Sequence, residues 1–110
     1  MLFRSRPEYS FYDMLGTVTV RTRDNSSVSV EMIIGYDVND ALASTELISR
    51  RFEMRDFLRR FFSGKSAAEL APEREEQLKA EIREILNTRF LDTARARIIL
   101  FNRLDVLENL

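Results

Sequence analysis

The feature that most constrains the fold of this chain is a change in hydrophobic period along it. Over residues 11–23 and again over residues 28–37, apolar and polar residues alternate one by one. Period two with β-branched residues marks a strand with one buried face. In the first stretch Met14, Gly16, Val18, Val20 and Thr22 share a side. In the second, Val28, Val30, Met32, Ile34 and Tyr36 face one way, and Ser29, Glu31, Ile33 and Gly35 the other. Between them Asp24-Asn25-Ser26-Ser27 is rich in side chains that hydrogen-bond their own backbone, so the two strands read as an antiparallel hairpin. The period then lengthens to that of a helix. From a cap at Asn39 or Asp40 to about Ser63, Leu47, Met54, Leu58 and Phe61 fall on one stripe with Ile48 and Phe62 beside it. Gly64 would end this helix in the left-handed conformation. Ser66-Ala67-Ala68-Glu69 has the form of a capping box, and Pro72 suits the first position of a further helix. That helix runs from about Glu73 to Phe90 with Leu78, Ile82, Ile85, Leu86 and Phe90 on one face, and residues 91–95 connect it onward. Residues 97–107 return to period two. Ile98, Leu100, Leu104 and Val106 share a face interrupted by Asn102, while Ile99 and Phe101 lie opposite. The predicted fold class is α+β, a small antiparallel β-β-α-α-β sheet with two helices packed on one face.

The same residues exclude most chemistry. The chain of 110 residues contains no cysteine and no histidine. Disulfides, thiolate metal sites and the usual Ser-His or Cys-His nucleophile pairs therefore cannot form. Its three glycines, at 16, 35 and 64, make no phosphate-binding loop. Most carboxylates fall at helix surface positions beside Arg or Lys, where nothing tunes them for acid–base work. We expect no enzyme activity, no catalytic residue, no metal and no cofactor. The formal net charge of -1 recruits neither nucleic acid nor an anionic membrane.

Charge is nevertheless unevenly distributed. Residues 41–66 hold six basic and three acidic side chains, and residues 67–90 hold four basic and six acidic. Arg51, Arg55 and Arg59 are candidate partner-contact residues on the first helix. Equally, they are compatible with a solvated face, since Glu46 with Arg50 and Asp56 with Arg60 stand four residues apart. A basic helix on one subunit meeting an acidic helix on the next would build a ring or filament. Phe62, Ile99 and Phe101 present the same alternatives, core packing or an exposed anchor for a partner. Nucleic-acid binding by the arginine-rich helix is a further alternative, although the strands lack the aromatic pair of RNA-binding sheets.

The succession Arg55-Asp56-Phe57-Leu58-Arg59-Arg60-Phe61-Phe62, the link Ser63-Gly64-Lys65-Ser66-Ala67-Ala68-Glu69-Leu70 and the helix around Leu78-Lys79-Ala80-Glu81-Ile82 resemble the C-terminal periplasmic domain of the FliL family, flagellar basal body-associated proteins. Residues 90–97 resemble the spirochaete branch. The likeness covers residues 47–107. It departs at the last strand, where Ile99-Leu100-Phe101-Asn102-Arg103-Leu104 replaces an aromatic-rich pattern, so contacts of that strand do not carry over. The resemblance implies a non-enzymatic scaffold with a stomatin-like (SPFH) fold, forming a homo-oligomeric ring at the flagellar basal body. It implies the stator proteins MotA and MotB as partners, in support of motility. It also implies a transmembrane helix preceding residue 1, with residues 1–10 as a juxtamembrane linker and residues 11–110 as a periplasmic domain at the bacterial inner membrane. A stomatin-like membrane scaffold unrelated to flagella is the alternative.

Overall fold

The computed structural model describes residues 8–108, so most of the expected linker, residues 1–7, lies outside them. Strand pairing begins at Tyr9. The elements are β1 (Tyr9–Tyr12), β2 (Thr17–Arg21), β3 (Ser27–Asp37), α1 (Ala43–Ser49), α2 (Arg51–Ser63), α3 (Glu75–Ile85) and β4 (Ile98–Leu107). All strand pairs are antiparallel, and β3 is central. One of its edges pairs β2 and then β1 end to end; the other pairs β4 along almost its whole length. The α+β class and the small antiparallel sheet follow the sequence reading.

The single strand expected over residues 11–23 is two strands. The inward set advances by three residues from Tyr12 to Leu15 and again to Val18, all buried. A strict alternation would have turned Met14 inward, and instead it is 75% exposed. Gly16 makes the break possible. Its φ of +76° lies where side chains with a Cβ are strained, and a Cβ there would sit 2.9 Å from Arg55 Nη1. The Arg55 guanidinium donates across this break to the carbonyls of Leu15 and Thr17, tying α2 to the β1–β2 connection and to the start of β2.

A second slip occurs in β4. Glu31 pairs Arg103 and Met32 pairs Phe101, leaving Asn102 unpaired in a bulge. One extra residue exchanges the two faces of a strand. Leu104 and Val106 point inward as expected. Ahead of the bulge, however, Ile99 (4% exposed) and Phe101 pack on the core, while Leu100 faces out. The expectation that Ile98 and Leu100 share the inward face with Leu104 and Val106 is thereby corrected.

The predicted long first helix is interrupted at Arg50, which separates α1 from α2. The buried stripe runs through Leu47, Met54, Leu58 and Phe62, with Phe57 added, and Ile48 turns outward instead. Gly64 ends α2 with φ -84° in the right-handed region, so the left-handed cap expected there is absent. The capping box forms as expected: Ser66 Oγ accepts from the Glu69 N–H at 3.3 Å, and Glu69 Oε1 accepts from the Ser66 N–H at 3.1 Å. Pro72 opens a short 3-10 turn, Pro72–Arg74, that leads into α3. After Ile85 the helix widens into one π turn, Leu86–Phe90, closed by the Leu91 N–H on the Leu86 carbonyl. Leu78, Ile82 and Leu86 meet Phe62, Leu58 and Met54 over the inward faces of the strands, so the core lies between the helices and one side of the sheet.

Candidate partner interface

Each side chain expected to contact a partner has a definite place in this layout. Phe62 is fully buried between Phe61 (ring centroids 5.2 Å apart) and Phe101 (6.1 Å). Ile99 is also buried and Phe101 packs against the core while staying partly exposed, so Phe62 and Ile99 take the core alternative and Phe101 keeps part of its ring at the surface. Arg51 stacks on the Phe52 ring at 4.4 Å and donates to the Ile48 carbonyl at 2.8 Å. Arg55 is engaged with the β1–β2 break. Arg59 is exposed and makes no ion pair among the described residues.

The expected pairing of Glu46 with Arg50 is replaced by a longer reach. The Glu46 carboxylate accepts from the backbone N–H groups of Asp92 (2.8 Å), Thr93 (3.1 Å) and Ala94 (2.6 Å). Arg50 turns instead to Asp92 at 3.0 Å and Glu53 at 3.1 Å. Burial pushes the Glu46 carboxyl up, but the three backbone N–H groups outweigh it and hold its pKa below the ordinary value. Thus α1 fastens the loop that leads into β4.

An equivalent clamp works at the other end of the molecule. The hydroxyl of Thr22 and the N–H of Ala67 both donate to Asp24, and lower its pKa in that order of effect. Arg23 reaches Glu69 at 2.7 Å and the Gly64 carbonyl at 3.0 Å. The β2–β3 hairpin tip therefore holds the link between α2 and α3. Hydrogen bonds hold the carboxyls of Asp24, Glu46 and Glu69 below the ordinary carboxylate range, opposite to the tuning of a general base.

Two surface features escaped the sequence reading. Leu42, Ile48 and Phe52, between 49% and 68% exposed, lie at the N-cap of α1, on α1 and at the start of α2. Their signal was available in principle, since Ile48 and Phe52 stand four residues apart and away from the Met54–Leu58 stripe; the turn at Arg50 hid it. The second feature is a groove of about 430 Å³ between α3 and the outer edge of β4, lined by Glu76, Lys79, Ala80, Arg83, Arg97 and residues 98–100. No helix among the described residues is long and apolar enough to cross a membrane.

Residues 11–104 match the family described as flagellar basal body-associated protein FliL. Flagellar protein FliL of Treponema pallidum (strain Nichols) is 37% identical over 106 residues, covering 94% of this chain and 58% of that relative. The chain thus spans little more than half the length of the curated relative it matches. Both matches cross the broken first strand, the helices and the start of β4, and the chain belongs to the FliL family of flagellar basal body-associated proteins.

Proposed function

We propose that this chain is the periplasmic part of an inner-membrane scaffold that assembles side by side around the flagellar stator proteins MotA and MotB and favours their working conformation. The observation that carries the reading is the family match over residues 11–104. The surface is compatible with it. Arg59 on α2, Glu84 on α3 and Glu73 in the 3-10 turn before α3 are exposed and unpaired among the described residues, so α2 of one copy can face α3 of the next. Leu42, Ile48 and Phe52 supply apolar area beside the basic helix. A ring of this kind acts only by binding one stator state better than another; about 1.4 kcal/mol of difference shifts that balance tenfold. Weak lateral contacts suffice when a membrane anchor raises the local concentration. A stomatin-like fold and a transmembrane helix before residue 1 belong to the same proposal.

The test is genetic. Deleting the gene in its native bacterium is expected to lower stator occupancy at the motors and slow swimming, with recovery on complementation. Unchanged occupancy and speed would refute the reading.

A further inference from the structure

Strand β4 pairs β3 along one edge, and no strand covers its other edge among the described residues. Half of the N–H and C=O groups of such a strand point away from the sheet and can template another strand. Proteins usually blunt such an edge with charge. Beyond the Asn102 bulge this edge is blunted: Arg103 and Asp105 are exposed, 3.5 Å from each other, and Arg103 also reaches Glu31 at 3.7 Å. Ahead of the bulge, Ile98, Ile99, Leu100 and Phe101 carry no charge. One edge therefore has a protected half and an open half.

The open half borders the groove whose other wall is α3. Glu76, Ala80 and Arg83 lie along one stripe of that helix, and exposed Ala80 leaves the middle of the groove wide. A strand added to a sheet lies about 4.8 Å from its neighbour, so it would run between residues 98–101 and Ala80. Only an extended backbone can meet the outward main-chain groups of β4. The bulge limits the added segment to about four residues, roughly 13 Å. The lining holds three basic side chains, Lys79, Arg83 and Arg97, against one acidic, Glu76. Lys79 and Arg97 have acidic partners, whereas Arg83 has none among the described residues and makes only a long contact to the Arg97 carbonyl at 3.5 Å. We infer that the groove between α3 and β4 binds an extended, acidic segment of a partner protein by strand addition to residues 98–101. The inference stands on the groove alone and holds whether or not copies of the chain form a ring.

The experiment uses the purified chain and ten-residue peptides selected on it from a displayed random library. Selected peptides are expected to alternate apolar residues with Asp or Glu. In an amide NMR titration they should shift residues 76–83 and 97–101 and slow exchange at alternate amides of β4. Ala80→Phe fills the groove from an exposed position and should abolish binding. Arg83→Glu should weaken acidic peptides about tenfold and restore affinity to their Lys-substituted versions. Unchanged thermal unfolding of both variants keeps these readouts interpretable. Failure to enrich any peptide, shifts mapping elsewhere, or binding indifferent to Ala80→Phe would overturn the inference. So would sedimentation showing that two copies pair through β4 and separate on Leu100→Lys, which would assign the edge to a second copy.

Discussion

Helices α2 and α3 are amphipathic, lie on the same face of the sheet and carry opposite charge, yet they use that charge differently. In α2 most of the cations are turned to the molecule itself. Arg55 fastens the β1–β2 break, Arg51 covers Phe52 and caps α1, and Arg60 pairs Asp56 at 3.6 Å. In α3 the acids fall into two groups. Glu75 and Glu76 pair Lys79, and Glu81 pairs Lys65 of the interhelix link, whereas Glu84 points to solvent without a cation among the described residues. Thus the charge of an element is not the charge it offers. A surplus of arginines in the sequence leaves Arg59 as the α2 cation without a partner among the described residues, and the acidic helix offers an exposed Arg83 beside the groove.

This contrast can be broken or sharpened by substitution. The largest effect is expected from Phe62→Ala on the inner face of α2, which should cost about 3–5 kcal/mol in chemical denaturation because it opens a cavity among Phe61, Phe101 and Leu58. A loss below about 1 kcal/mol would return Phe62 to the surface. Next comes the α1 clamp. Glu46→Gln should cost about 2 kcal/mol, since three backbone N–H groups lose a charged acceptor. The folded carboxyl has the lower pKa, so its contribution is present at neutral pH and fades as pH falls through and below the ordinary carboxylate range. The gap in Tm between the two proteins should therefore narrow below about pH 4. Arg55→Met should cost about 1 kcal/mol through the lost contacts to Leu15 and Thr17. Glu84→Gln on α3 should change stability by less than about 0.5 kcal/mol. Equal effects at Arg55 and Glu84 would erase the distinction between an engaged and an available charge.

Much of this was legible in the sequence where the signal is local. The alternation in β3 places each of its inward residues correctly, and the Ser66–Glu69 capping box depends on residues only three apart. The misplaced strand residues come from breaks in a period-two pattern that leave its composition unchanged: the turn at Gly16 exchanges Met14 and Leu15, and the bulge at Asn102 exchanges Ile99 and Leu100. Two candidate contacts, Arg51 and Arg55, were found as charged helix positions, but their partners are backbone carbonyls. Those of Arg55 lie about forty residues away, where no charge pattern reveals them. The groove was invisible for a similar reason, since Ala80 acquires meaning only when the bulge fixes which half of β4 lies open.

These 110 residues contain no cysteine, so within them an engineered pair reports proximity without a competing thiol. Arg59→Cys and Glu84→Cys, placed together in the protein as its native bacterium makes it and oxidised, test most directly whether α2 of one copy faces α3 of the next. If the helices meet in this way, oxidation gives a ladder of disulfide-linked oligomers extending beyond the dimer, with each single variant stopping at dimer or monomer. A double variant that stays monomeric while stators occupy the motor normally would contradict that arrangement.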